Sequence, residues 1–251
     1  MNRPNSRIEP AVTQARPTAF ETGWLAGVSG YLRKVLAIVW KDVVSELRTR
    51  EIVSAMFVFA LLATLIFQFA FDLRVDNVRQ VVPGVLWVAI AFSGVLGLNR
   101  SFIMESDKGC LEGLLLTPVD RSAIYFGKML GNLLFMLVVE VIILPLFALL
   151  FNLPMWMPGI LLVVLLGTFG LAAVGTLFSA MTVNTRAREV MLPILLFPVV
   201  VPVLIAGVRM TGGFLDGTAL SEMRNWMQLL IGFDMVFLAL AFMTFDYVVE
   251  E

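Results

Sequence analysis

Six apolar stretches, each long enough to cross a bilayer as a helix, constrain this chain more than anything else in it. Crossing ~30 Å of hydrocarbon takes ~20 predominantly apolar residues. Residues 52–71, 81–98 and 190–208 contain no charged side chain. Residues 155–183 contain none either and exceed what one span needs, so they include an interfacial lead-in. Residues 129–151 and 226–245 each hold a single acid, Glu140 and Asp234. Lipid offers the backbone no hydrogen bonds, so spans are helices or closed barrels, and the two-residue alternation of a barrel is missing. Composition agrees: 15% of residues are charged, against about 25% in soluble domains. The expected fold is an all-α membrane protein whose six transmembrane helices occupy residues 52–249.

Orientation follows from Lys and Arg. With a cytoplasmic N-terminus, only Arg74, Arg79, Arg209 and Arg224 of the 18 basic residues fall outside. Such a bias places both termini in the cytoplasm. The net charge of −1 implies no strongly charged partner, nucleic acid included. Residues 1–22, with Pro4, Pro10 and Pro17 among scattered polar side chains, read as a disordered cytoplasmic tail. They lack the apolar core of a secretory signal. The lone cysteine, Cys110, excludes an internal disulfide and reads as a small space-filling residue.

Ahead of the first span, residues 31–51 carry Leu32, Val35, Leu36, Val39, Trp40, Val43 and Val44 at helical spacing. Arg33, Lys34, Lys41, Asp42, Glu46 and Arg48 fall mostly on the opposite face. The pattern predicts an amphipathic interfacial helix, with Trp40 at the headgroups and a turn into the first span near Arg50. It serves either as a plain membrane anchor or as a further contact for a soluble partner.

Between the second and third apolar runs lies the most informative segment, ESDKGCLEGLLLTP, residues 105–118. Gly109 permits a sharp turn. Leu111, Leu114 and Leu115 form an apolar patch at i, i+3, i+4 with Glu112 beside it, and Pro118 limits the helix to one or two turns. Asp120 or Ser122 can cap the next helix, which runs through Ile124, Tyr125 and Lys128 into the third span. A short surface helix of this kind fits a groove on a soluble partner and can carry that partner's movement into both flanking spans. The plainer reading is a cytoplasmic loop whose leucines rest on lipid.

The run from Pro83 to Leu130, PGVLWVAIAFSGVLGLNRSFIMESDKGCLEGLLLTPVDRSAIYFGKML, resembles the haem exporter protein B (CcmB) family. The resemblance extends over residues 30–248 and takes in the WKD…ELRTRE helix and the proline-bearing fifth span. It is most specific at the Pro-Gly-Trp start of span two and the E…D.G.LE.L.L.P segment. Many members carry Glu before the arginine of span two; here that position is Asn99. The resemblance implies a type-2 ABC exporter-like permease subunit of the cytochrome c maturation complex in a bacterial-type inner membrane. It implies a separate CcmA-like ATPase, CcmC- and CcmD-like membrane proteins and a CcmE-like haem chaperone; pairing with a second copy of this chain, or with a related subunit, is expected beside these. ATP would act through the ATPase, driving release of the loaded chaperone or, in the older view, haem export. Carried over by position, Glu105, Asp107, Gly109, Leu111, Glu112, Leu114, Leu116 and Pro118 would form the ATPase-coupling helix. A generic type-2 exporter of lipid, glycan or drug is the alternative, and a non-transporting scaffold a third reading.

The residues themselves bear on these expectations. The chain has no histidine, a usual axial ligand of haem iron, and its 14 methionines suit lipid-facing filler. No phosphate-binding G-x-x-x-x-G-K-[ST] occurs; Gly127-Lys128 is followed by Met129. No metal cluster or nucleophilic triad is evident. A non-catalytic subunit that binds no cofactor directly is expected.

Intramembrane acids are the remaining site candidates. Glu140 should face the bundle and pair with Gln68 or Thr168; a coupling role and a packing hydrogen bond both stay open. Asp234 and Asp246 are expected to snorkel to water, and Arg100 either to snorkel or to pair with Glu105. Ala172, Thr176 and Ala180, with Gly167, Gly170 and Gly175 nearby, predict close packing of span four, within the bundle or at a subunit interface. Pro193, Pro198 and Pro202 should kink or break span five, and residues 211–225 could re-enter the membrane.

Overall fold

A computed structural model describes residues 24–72, 78–107, 120–182, 185 and 187–248. The elements are α1 (Trp24–Thr49), α2 (Glu51–Asp72), α3 (Val78–Asp107), α4 (Arg121–Phe151), α5 (Pro158–Thr182), α6 (Arg188–Leu215) and α7 (Arg224–Val248). Among the described residues there is no strand. Six of the helices, α2 to α7, are long and apolar enough to cross a membrane.

Two helices form the centre. In the most apolar stretch of α3 and of α5, 72% of residues are buried inside the protein, against 22% in α2 and α7. α3 packs on α2, α4, α5 and α6; α5 packs on α3, α4, α6 and α7. The small residues of α5 make this possible, since each leaves room for a large neighbour. Gly167 sits against the Trp87 ring, Gly175 against Leu98, and Gly170 against Asp234 and Phe233. Trp87 is the largest fully buried side chain; it also lies on Gly207 of α6 and donates its indole N–H to Thr211 at 3.1 Å. The small-residue stripe therefore packs internally.

Helix ends follow the local chemistry. Arg50, at φ 54°, is the single left-handed residue that breaks α1 from α2, and its N–H closes on the Glu46 carbonyl at 2.6 Å. The turn falls at the expected residue. Asn152, also left-handed at φ 50°, ends α4 and returns its N–H to the Ala148 carbonyl. Asparagine tolerates that conformation better than most residues. Asp120 stands at the N-cap of α4 but makes no side-chain capping bond. Residues 153–157 supply the lead-in expected before span four.

Of the two outcomes expected for the prolines of span five, a break is not found: α6 runs as one helix through Pro193, Pro198 and Pro202. Proline at 193 removes a donor to the Glu189 carbonyl, and Asn99 of α3 donates to that carbonyl instead, at 3.4 Å. Residues 211–215 are the last turn of α6 rather than a re-entrant loop, and 216–223 form turns.

Candidate functional site

The 105–118 segment joins α3 to α4. Glu105 and Asp107 belong to the last turn of α3, while the remaining coupling residues, Gly109, Leu111, Glu112, Leu114, Leu116 and Pro118, lie outside the described residues, as do Cys110 and the 1–22 tail. The side chain of Asp246 lies outside them too. What the structure describes in detail is the collar of polar contacts where the flanking helices meet α1 and α2.

α1 has three faces rather than two. Val35, Ile38 and Glu46 are buried and Asp42 nearly so, all on one stripe turned toward α4 and α2. Leu32, Leu36, Trp40 and Leu47 are exposed on a second stripe. Lys34, Lys41 and Arg48 occupy the third. The sequence pattern assigned Asp42 and Glu46 to water; the structure corrects this, because each has a partner inside. Asp42 accepts from the Lys128 ammonium at 2.9 Å and also lies 3.1 Å from Lys41. Lys128 itself is 2% exposed. Glu46 accepts the Val53 N–H at 2.9 Å, satisfying one of the orphan donors in the first turn of α2, where a carboxylate also suits the helix dipole.

Further contacts fix the direction of α1. Tyr31 donates to Ser122 at 3.2 Å, Ile38 lies on Gly127 and Asp42 beside Gly131. The positions rise together, so α1 runs alongside the first turns of α4 in the same sense. Gly127 is required there: a Cβ at that position would lie 2.7 Å from the Ile38 side chain. Across the collar, Arg100 of α3 pairs with Glu51 of α2 at 2.7 Å; the side chain of Glu105, the partner named from the sequence, lies outside the described residues.

Polar groups deeper in the bundle link α4 to α5. Tyr125 donates to the Ala173 carbonyl at 2.9 Å and Asn132 to Thr176 at 3.1 Å. Thr168 donates to Glu140 Oε1 at 2.5 Å. Of the two partners considered for Glu140, Thr168 is the one found. The second oxygen of Glu140, Oε2, has no hydrogen-bond partner among the described residues, and Glu140 and Ser93 both line a small gap between α3 and α4.

Asp234 departs from expectation. It is 5% exposed, packed against Gly170, and neither carboxylate oxygen has a hydrogen-bond partner among the described residues. The glycine lets α7 approach α5 closely enough to bury the acid, which a sequence position near a helix end does not reveal. Glu140 and Asp234 both touch α5, at Thr168 and Gly170, but residues two apart on a helix face opposite ways. The two acids therefore flank α5 and do not form a carboxylate pair. Among the described residues no group of His, Cys, Asp and Glu could hold a metal ion.

Six apolar helices, two of them central and four around these, with the buried acids Glu140 and Asp234 inside the bundle, define a multi-pass membrane protein. The chain belongs to the CcmB protein family, whose model matches residues 33–250. It is 30% identical to heme exporter protein B of Pseudomonas aeruginosa over 181 residues, covering 72% of this chain and 81% of that protein. It is 31% identical to heme exporter protein B of Haemophilus influenzae over 160 residues, covering 63% of this chain and 72% of the relative. The protein of the same name from Rhodobacter capsulatus is 30% identical over 149 residues, 58% of this chain and 67% of the relative.

Proposed function

We propose that this chain is the membrane permease subunit of an ABC-type complex for cytochrome c maturation. ATP hydrolysed by a separate CcmA-like subunit is coupled through it to haem handling and release of a loaded CcmE-like chaperone, in company with CcmC- and CcmD-like membrane proteins. The chain is not itself an enzyme and binds no cofactor directly; haem is handled by the assembled complex. The observation that carries the reading is the family match over residues 33–250, which includes the 105–118 segment. The Lys and Arg bias supports a bacterial-type inner membrane with both termini and that segment on the cytoplasmic side.

Residues 105–118 act as the coupling helix, with Leu111, Leu114 and Leu116 seated in the ATPase and Glu112 at the rim. Its position supports this role. It hangs between α3 and α4, and these helices carry Arg100 and Lys128, the residues that tie them to α2 and α1. A push on the segment would therefore move α1 to α4 as one body.

Deleting the gene and staining membrane proteins for covalently bound haem tests the proposal. Loss of all c-type cytochromes, restored by the wild type but not by Glu112→Arg, is the expected result. Unchanged cytochromes in a host without a second maturation route would overturn it.

A further inference from the structure

At the end of the molecule remote from α1, a groove of about 830 Å³ opens between the start of α3 and the end of α6. Arg79, in the first turn of α3, and Arg209, in the last two turns of α6, both line it, and Asp216 lines its rim just beyond α6. All three are exposed. Among the described residues neither arginine has an ion-pair partner. One to three helical turns deeper the lining becomes apolar, and Val88 (39% exposed) and Ile205 (47% exposed) open it sideways toward lipid. Gly84 gives the groove its width: a Cβ there would meet nothing within 4 Å.

The order is cationic at the water interface and apolar below, with a lateral opening. The geometry points to a phospholipid-binding site. The lipid phosphate lies between Arg79 and Arg209, whose guanidinium forks match phosphate oxygens. Asp216 accepts hydrogen bonds from headgroup donors, and an acyl chain runs past Gly84 along Val88 and Ile205. Asp216 makes the site selective: amine or hydroxyl headgroups, as in phosphatylethanolamine or phosphatidylglycerol, carry a donor for it, while phosphatidylcholine has none. A free phosphate would use the arginines and leave the apolar half uncovered. The assignment is independent of the function proposed above.

The test is native mass spectrometry of the full chain in detergent, titrated separately with phosphatidylglycerol, phosphatidylethanolamine, phosphatidylcholine and inorganic phosphate. Phosphatidylglycerol and phosphatidylethanolamine should be retained in preference to phosphatidylcholine. The double variant Arg79→Gln/Arg209→Gln should weaken retention by roughly tenfold or more. Asp216→Ala, which removes the acceptor, should erase the preference over phosphatidylcholine. Gly84→Leu, which fills the groove without touching the arginines, should block retention while leaving the thermal midpoint of the chain in place. Equal retention by the double variant overturns the assignment. So does displacement of bound lipid by inorganic phosphate, or by a dicarboxylate porphyrin, at stoichiometric concentration.

Discussion

Lys128 and Asp42 show what residue-level reading reaches and where it stops. The sequence marks both as charges beside a membrane, and charges there usually face water. The structure buries Lys128 to 2% and Asp42 to 10% side-chain exposure and joins them at 2.9 Å. The reason is geometric: Gly127 and Gly131 let α1 lie close on α4, so the pair is shielded by backbone. Nothing in the spacing of α1 names α4 as its neighbour. Removing one member of a buried pair costs about 3–5 kcal/mol, whereas replacing both by apolar groups is close to neutral. Asp42→Asn should therefore lower stability by about 3 kcal/mol, and Asp42→Leu/Lys128→Met should recover most of it. A double-mutant cycle built from Asp42→Leu, Lys128→Met and the two together, read on thermal midpoints in detergent, measures the coupling; a coupling energy below about 1 kcal/mol would place the pair with weak surface bridges. Glu140 was more legible. A lone acid inside an apolar run has to find a polar partner, and Thr168 was one of two candidates in reach.

At the scale of elements, number and type were legible and partnership was not. Lengths of apolar residues set the six spans directly, because the bilayer fixes how long a span is. The start of α4 was legible beyond its apolar run: a capping residue at Asp120 and helical sequence through Ile124, Tyr125 and Lys128 placed it, and the helix begins at Arg121. The glycines of α5 were visible as a stripe; that Trp87 fills the notch at Gly167 was not. This contact is testable against a glycine that faces nothing. Gly167→Ala gains about 1 kcal/mol of helix propensity but forces the buried indole out of the place it holds between Gly167, Gly207 and Thr211. Overpacking typically costs about 1–3 kcal/mol, so a lower thermal midpoint is expected, with Trp fluorescence shifted as Trp87 moves. At Gly232 a Cβ would meet nothing within 4 Å. Gly232→Ala should be neutral or stabilising by up to about 1 kcal/mol. If the two variants behave alike, close α3–α5 packing is not what Gly167 is there for.

Seen whole, the molecule is tied at one end and open at the other. The α1–α4 and α2–α3 ion pairs gather four helices into a collar around the ends that the 105–118 segment connects. At the opposite end, α3 and α6 part around the groove. In the coupling proposed above, a push on 105–118 would reach a body clamped near that segment and loose at its far end. The same asymmetry separates coupling from folding. Glu112→Arg reverses a charge at the proposed ATPase contact, and charge reversal at an interface weakens association by roughly tenfold or more. The purified chain should keep its thermal midpoint, while ATPase activity of the complex assembled with its ATPase falls. Asp42→Asn acts on the collar instead, and should lower both the midpoint and the activity. Measuring the two variants side by side distinguishes a segment that transmits force from a loop that merely joins helices: full ATPase activity with Glu112→Arg would assign 105–118 to the loop, whatever the collar variant does.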